Sequence, residues 1–226
     1  MIHQLYSNSL TKDERALYKP IEVQVESALI HFSELKITDI CFYFYSREFI
    51  THKHARFDPS ELLPISDSIK RSVRFIVTFA KNIMLLEDID RYSIICHELQ
   101  HAVQYQMNRR AYLLSCILRD SGKICRYDIP TEIDADRKAK SALEKVFGSS
   151  KLKEFISKFV SSSDINFQLF GNYFDRINTN VAYDLEKEVK ISWEKNHMDQ
   201  RIKAMKKNPK NKDRKMIKYF EIANSQ

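Results

Sequence analysis

The chain has 226 residues, of which 43% are hydrophobic and 30% charged, so it is long enough for one domain with a substantial core and too short for a multidomain array. Its 12% aromatic content excludes a wholly disordered chain, and the presence of only 3 Gly favours long helices over architectures rich in glycine turns. The formal net charge of +7 is compatible with binding to an acidic partner such as a nucleic acid, an anionic lipid or an acidic protein.

The sequence contains no pattern typical of membrane insertion or export. Its apolar runs are far shorter than the roughly 20 residues that cross a bilayer, so we expect no transmembrane helix. The N-terminus lacks the basic and apolar regions of a secretory signal, so we expect none. The four cysteines form no C-x-x-C pair and have apolar neighbours, which favours a reduced, cytoplasmic protein over a disulfide framework.

The N-terminal part of the chain predicts one helix and a small sheet. A helical pattern entered through proline covers 20–35, and 37–45 is typical of a buried strand. The segment 52–64 contains two prolines and several charges, which predicts a loop. The runs 74–79 and 83–86 are β-prone.

The C-terminal half is predicted to be helical throughout. A helix begins at Asp88 or Asp90 and continues to about Arg109, because either aspartate can cap its first turn. Thr131 is the predicted N-cap of a later helix that Gly148 ends. The remaining helical patterns cover about 110–119, 151–161, 165–177 and 181–198.

The sequence His97-Glu98-Leu99-Gln100-His101 is an H-E-x-x-H motif within the first of these long helices. At about 100° per residue, two histidines four positions apart lie on the same helical face, so both imidazoles can bind a single ion. Glu98 follows the first histidine and is the candidate general base that activates a water molecule. The motif therefore predicts a catalytic zinc site with one Zn²⁺ per chain.

A pair of carboxylates begins the next strong helix, 31 residues after His101. Glu132 and Asp136 are also four positions apart, so both can face the same place. Catalytic zinc takes three protein ligands and water, and two histidines with one glutamate are an established set. Glu132 is thus the predicted third ligand, although Asp134 and Asp136 are alternatives of the same chemical type.

This combination resembles the gluzincin metallopeptidases, in which H-E-x-x-H is followed on a later helix by E-x-x-x-D. The resemblance covers about 49 residues, from His97 to the helix around Lys145. It implies that His97, His101 and Glu132 bind zinc, that Glu98 is the catalytic base, and that Asp136 hydrogen-bonds a ligand histidine.

The resemblance also implies a fold and a substrate class. The expected fold is a zincin-like α+β domain, with a small N-terminal β-sheet packed on the active-site helix and a mostly helical C-terminal half. The expected substrate is a protein or peptide whose extended backbone pairs with an edge strand, for which 74–79 and 83–86 are the candidates.

Zincins also use a side chain that stabilises the oxyanion of the tetrahedral intermediate. Four downstream residues have suitable chemistry, and no local pattern selects among them. They are Tyr173, Arg176, Tyr183 and His197.

The charge of the chain is concentrated near its C-terminus. Residues 200–226 contain nine basic and two acidic side chains, which accounts for the whole net charge, whereas 1–199 are neutral overall. We therefore divide the chain into a metallopeptidase domain, 1–199, and a basic C-terminal segment, 200–226. No RNA-binding or zinc-finger signature accompanies this segment, so nucleic acid is not the expected partner.

Two further interpretations concern function and cellular context. The chain can instead be a non-catalytic protein with a structural metal, or with none, whose basic segment recruits a partner. A peptidase without a signal sequence can act in the cytoplasm, or it can be a bacterial effector delivered into another cell by a route that needs no signal peptide.

Overall fold

The structure is a computed structural model that describes residues 3–6, 10–35, 40–45, 54–60, 63, 74–211 and 213–225. Helices and one small sheet make up these residues, which confirms the predicted α+β class. Within them no helix is both long enough and apolar enough to cross a membrane, as the sequence predicts.

Four strands form the sheet, in the order β1-β2-β4-β3. β1 pairs in parallel with β2, β2 pairs in parallel with β4, and β3 pairs antiparallel with β4. The predicted strands at 37–45 and 74–79 are confirmed as β2 and β4, while residues 37–39 lie outside the described residues. The bounds are β1 His3–Tyr6, β2 Ile40–Phe44, β3 Ala55–Pro59 and β4 Phe75–Phe79.

Three predictions about the sheet are wrong. The segment 83–86 is not a strand, because Lys81–Leu85 forms a 3₁₀ turn. The predicted loop at 52–64 contains the strand β3, whereas residues 52, 53, 61, 62 and 64 of that segment lie outside the described residues. The prediction of 74–79 as an edge strand is also wrong, because β4 lies between β2 and β3. Among the described residues, β1 and β3 are the two edge strands of the sheet.

β3 forms because its alternating side chains suit a half-buried strand. Ala55, Phe57 and Pro59 are buried, whereas Arg56 is exposed and pairs with the carboxylate of Asp58. Proline is tolerated at Pro59 because it ends a strand at the edge of the sheet. The non-local pairing with β4 thus outweighs the local charges and proline that predict a loop.

Each predicted helical range contains a helix, with ends that shift in either direction. Three further helices, Lys12–Leu17, Met198–Lys207 and Asp213–Ala223, have no counterpart among the predicted ranges. α2 begins at Lys19 with Pro20 in its first turn. α5 contains Gly148, whose φ of 82° and ψ of 160° interrupt the helix at the predicted position. The bounds are α1 Lys12–Leu17, α2 Lys19–Leu29, α3 Asp88–Met107, α4 Arg109–Asp120, α5 Pro130–Val160, α6 Ile165–Arg176, α7 Leu185–Lys195, α8 Met198–Lys207 and α9 Asp213–Ala223.

The chain divides into two compact units, which we call the sheet unit and the helical unit. The sheet unit comprises Met1–Val103 and Lys138–Ile177, and the helical unit comprises Gln104–Arg137 and Asn178–Gln226. The predicted division into 1–199 and 200–226 is based on charge, whereas these units are defined by contacts within the fold, so the predicted division stays a prediction. Its boundary falls inside α8.

Aromatic side chains form much of the core of the sheet unit. Phe42 and Phe79 stack with their ring centroids 6.2 Å apart, and the ring of Tyr18, the residue before α2, lies 4.9 Å from that of Phe44. The hydroxyl of Tyr18 donates to the carbonyl of Tyr45 at 2.7 Å, which connects α2 to the end of β2. These contacts fix the sheet that positions β3.

In the helical unit, α4 provides the central packing surface. Leu113, Ile117 and Leu118 on α4 are fully buried, and α9 and α7 both pack against this helix. The basic segment is therefore folded onto α4 through the buried residues of α9, Met216 and Ala223.

Candidate metal centre

Helix α3 positions both histidines of the motif on a buried face. His97 and His101 are 9% and 6% exposed, and Leu99 and Ala102 between and beside them are fully buried. The two Nε2 atoms lie 3.1 Å apart, and the imidazole planes are nearly perpendicular, at 87°. The helical spacing therefore brings both ring nitrogens to one point, as the sequence predicts.

The start of α5 is fixed by buried hydrogen bonds of the helical unit. The hydroxyls of Thr131 and Ser115 lie 2.9 Å apart, and the backbone N–H of Thr131 donates to Ser115 Oγ at 3.2 Å. Gln104 Nε2 donates to the Thr131 carbonyl at 2.9 Å. The prediction that Thr131 caps this helix is wrong, because α5 already begins at Pro130 and the Thr131 side chain bonds to α4 instead.

His97, His101 and Glu132 form a buried group that could hold a metal ion. One potential ligand atom from each lies within 4.8 Å of the others. Tetrahedral zinc with Zn–N bonds of about 2.0–2.1 Å places two imidazole nitrogens about 3.3–3.4 Å apart, close to the observed 3.1 Å. Two imidazoles and one carboxylate are a donor set that fits zinc, although the same donors also bind other transition metals.

Glu132 is the carboxylate in this group, and neither of the alternative aspartates belongs to it. Asp134 Oδ2 instead accepts from Gln104 Nε2 at 2.8 Å. Asp136 is 4% exposed on the same helix, one turn after Glu132, and its predicted hydrogen bond to a ligand histidine stays a prediction.

Two arginines provide counter-charges to the buried Glu132. Arg119 Nη1 lies 3.6 Å from Glu132 Oε1, and Arg126 Nε lies 3.4 Å from Oε2. A buried carboxylate is costly unless it is paired, and these guanidinium groups reduce that cost. The sequence analysis missed both arginines, because no motif or helical spacing pairs either of them with Glu132.

Glu98 makes a contact that the sequence also does not indicate. Its Oε2 accepts a hydrogen bond of 2.7 Å from the backbone N–H of Phe57 in β3. The ring of Phe57 lies 6.3 Å from that of His101. Strand β3 therefore contacts the motif helix at the candidate base and at one candidate ligand.

Tyr183 is the candidate oxyanion donor whose contacts are best defined. Its hydroxyl donates to the carbonyl of Pro130 at 3.2 Å, two residues before Glu132. Burial raises the pKa of Tyr183, and the neighbouring charge of Asp134 raises it further, so the hydroxyl is a proton donor at neutral pH.

The other three candidates differ in their surroundings. Tyr173 and Arg176 lie on α6 in the sheet unit, where Arg176 is exposed. His197 precedes α8 with a left-handed φ of 51° and is exposed. Which of the four stabilises an oxyanion stays a prediction.

Comparison of the chain with models of protein families, with curated proteins and with solved structures gives no match. The resemblance to gluzincins therefore depends on the motif residues alone.

Proposed function

We propose that the protein is a zinc-dependent endopeptidase of the gluzincin type, with a zincin-like arrangement of sheet and motif helix. The observation that supports this most strongly is the buried group of His97, His101 and Glu132. Glu98, the candidate base, directly follows His97 in the sequence. Three protein ligands leave one position of a tetrahedral ion open, as in catalytic zinc sites, whereas structural sites use four. This favours catalysis over a purely structural metal.

In the proposed reaction, His97, His101 and Glu132 hold the metal. Zinc bound there would supply Lewis acidity and lower the pKa of water to about 7. Glu98 takes a proton from the attacking water and returns it to the leaving amine. Because Glu98 Oε2 accepts from the Phe57 N–H, Oε1 is the oxygen that we assign to proton transfer.

A protein or peptide substrate is favoured by the position of β3. This strand ends the sheet and contacts the motif helix through Phe57. An extended peptide that aligns with such a strand gains main-chain hydrogen bonds and places a carbonyl near the motif. β3 thus replaces 74–79 and 83–86 as the proposed site of strand addition.

The test combines metal analysis with the variant Glu98→Gln. We expect the wild type to contain about one zinc per chain and to cleave members of a peptide library. Glu98→Gln should retain its zinc and lose about 10²–10⁴-fold in rate, because the amide cannot accept the proton. Glu154→Gln, at an exposed position of α5, is the matched control and should behave as wild type.

Two results would contradict the proposal. One is an unchanged cleavage rate in Glu98→Gln, which would show that the activity has another source. The other is a wild type that takes up no zinc after supplementation, which would favour the non-catalytic interpretation.

A further inference from the structure

The excess positive charge of the chain is concentrated on α8 and α9. The segment 200–226 has seven more basic than acidic residues, although the preceding 199 residues are balanced. α8 and α9 pack against each other within the helical unit. Seven of the nine basic residues of this segment lie on these two helices, so most of its positive charge belongs to a folded surface.

A groove of about 440 Å³ lies on this surface. Ile202, which is 2% exposed, and the partly buried Phe220 provide its apolar part. The polar lining consists of Asp199 and three lysines, Lys203, Lys206 and Lys207. We call this feature the α8–α9 groove.

The charged residues of the groove are not equivalent. Lys206 pairs with Glu221 at 3.2 Å and lies 5.3 Å from the centre of the Phe220 ring. Lys203 and Lys207 are both exposed, and no ion pair is recorded for them within the described part of the chain. They are four positions apart on one helical face, where like charges repel, so a partner's carboxylates would relieve this repulsion.

The acidic residue in the groove is already engaged. Asp199 Oδ1 accepts a hydrogen bond of 3.0 Å from the indole N–H of Trp193. This bond fixes the position of Asp199 without removing its charge, and the three lysines outnumber it, so the lining of the groove is net positive.

Two classes of anionic partner fit this groove poorly. A nucleic acid base needs an accessible aromatic face, but Trp193 stacks on Phe220 at 6.0 Å and 11°, and Lys206 lies over the same ring. An anionic membrane is bound by helices that insert exposed apolar side chains. No large hydrophobic residue in the described part of 200–226 is exposed.

We propose that the α8–α9 groove binds an acidic segment of a partner protein that contains an apolar side chain. The apolar side chain enters the groove between Ile202 and Phe220, and the flanking carboxylates pair with Lys203 and Lys207. This binding function is independent of the metal centre and of the proposed peptidase activity.

The fluorescence of Trp193 can report on binding in the groove. Trp193 is the only tryptophan, and it contacts both Phe220 and Asp199, two residues that line the groove. We would titrate the full chain with a short synthetic peptide in which Asp and Glu flank a central Leu-Leu pair. The expected result is a saturable change in Trp193 fluorescence that weakens as salt is added.

One altered peptide and two protein variants test which groups bind the acidic peptide. A peptide with Ser-Ser in place of Leu-Leu should bind more weakly, because it cannot fill the apolar part. The variant K203E/K207E should bind the acidic peptide about tenfold more weakly or worse, since two attractions become repulsions. The control K151E/K153E, with the same change in net charge on exposed residues of α5, should bind as wild type.

Several outcomes would overturn the proposal. They are the absence of a saturable signal, with a Kd weaker than about 1 mM, equal binding of the serine peptide, and equal binding by K203E/K207E. Tighter binding of oligothymidylate would instead assign the surface to nucleic acid, and tighter binding of phosphatidylserine vesicles would assign it to membranes.

Discussion

The candidate metal centre and the α8–α9 groove place charge in opposite environments. His97, His101 and Glu132 are each at most 9% exposed, whereas Lys203 and Lys207 are open to solvent. Burying an ionisable group costs free energy unless it is paired, hydrogen-bonded or bound to a metal. An exposed lysine has almost no such cost, because water solvates its ammonium group.

This difference determines what each region indicates about function. Two buried histidines and a buried glutamate that converge on one point could hold a metal ion, so the chemistry of these side chains alone indicates the kind of ligand to test. The lysines need no partner for stability, so their clustering alone does not indicate a ligand. It indicates a kind of partner only together with the neighbouring apolar side chains of Ile202 and Phe220. The following predictions test this contrast, from the largest expected effect to the smallest.

His101→Ala should abolish stoichiometric zinc binding, because it removes one of two ring nitrogens that lie 3.1 Å apart. In the wild type, zinc at 100 times its Kd should stabilise the folded state by about 2.7 kcal/mol, and the variant should lack this gain. Zinc content by mass spectrometry and thermal unfolding with and without zinc measure both effects. The exposed His197→Ala is the control, and a His101→Ala protein that retains one zinc would refute the assigned ligand.

Ser115→Ala should lower the free energy of unfolding by about 1–3 kcal/mol. Ser115 is fully buried, and its loss leaves the hydroxyl and N–H of Thr131 without this partner. Urea denaturation measures the change. Ser161→Ala, which removes an exposed hydroxyl, is the matched control, and equal stability of the two variants would show that the buried bonds at the start of α5 contribute little.

Arg126→Gln should tighten zinc binding by a few fold. Its side chain is 58% exposed and lies 3.4 Å from Glu132 Oε2, so it competes with a cation for the same carboxylate through a screened interaction worth about 0.2–1 kcal/mol. Competition with a chelator measures the affinity, and Arg110→Gln serves as a control at an exposed position of α4. Weaker zinc binding would instead indicate that Arg126 orients Glu132.

K203E/K207E should leave the free energy of unfolding within about 0.5 kcal/mol of the wild type. Both side chains are exposed, and the substitution replaces one like-charged pair by another. Urea denaturation is again the measurement. A loss above about 1 kcal/mol would mean that these lysines contribute to the fold, which would remove the contrast between the two regions.

The sequence was sufficient for the parts of the fold that depend on local patterns. Helical periodicity and the two aspartates of its first turn located α3, although both lie inside the helix and no cap contact is seen for them in the described residues. Gly148 marked the break in α5, because few other residues adopt its conformation. The spacing within H-E-x-x-H also predicted that His97 and His101 face one point, since the helix alone determines this.

The features that the sequence could not predict depend on contacts that no local pattern encodes. β3 exists because it pairs with β4, although Pro59 and the neighbouring charges favour a loop when considered alone. Likewise, Arg119 and Arg126 meet Glu132 only because the chain folds them together. Glu132 of the E-x-x-x-D pattern lies in the buried group with both histidines, yet nothing in that pattern indicates these cationic neighbours.

The hydrogen bond from Phe57 to Glu98 has a consequence for mutagenesis of the site. The donor is a main-chain amide, so replacing the aromatic ring with any ordinary side chain leaves the N–H in place. Only proline lacks this proton, and position 57 lies in a strand at the end of the sheet, where proline is best tolerated. Alanine scanning would therefore report on the packing of the ring against His101 and would leave this restraint on the glutamate undetected.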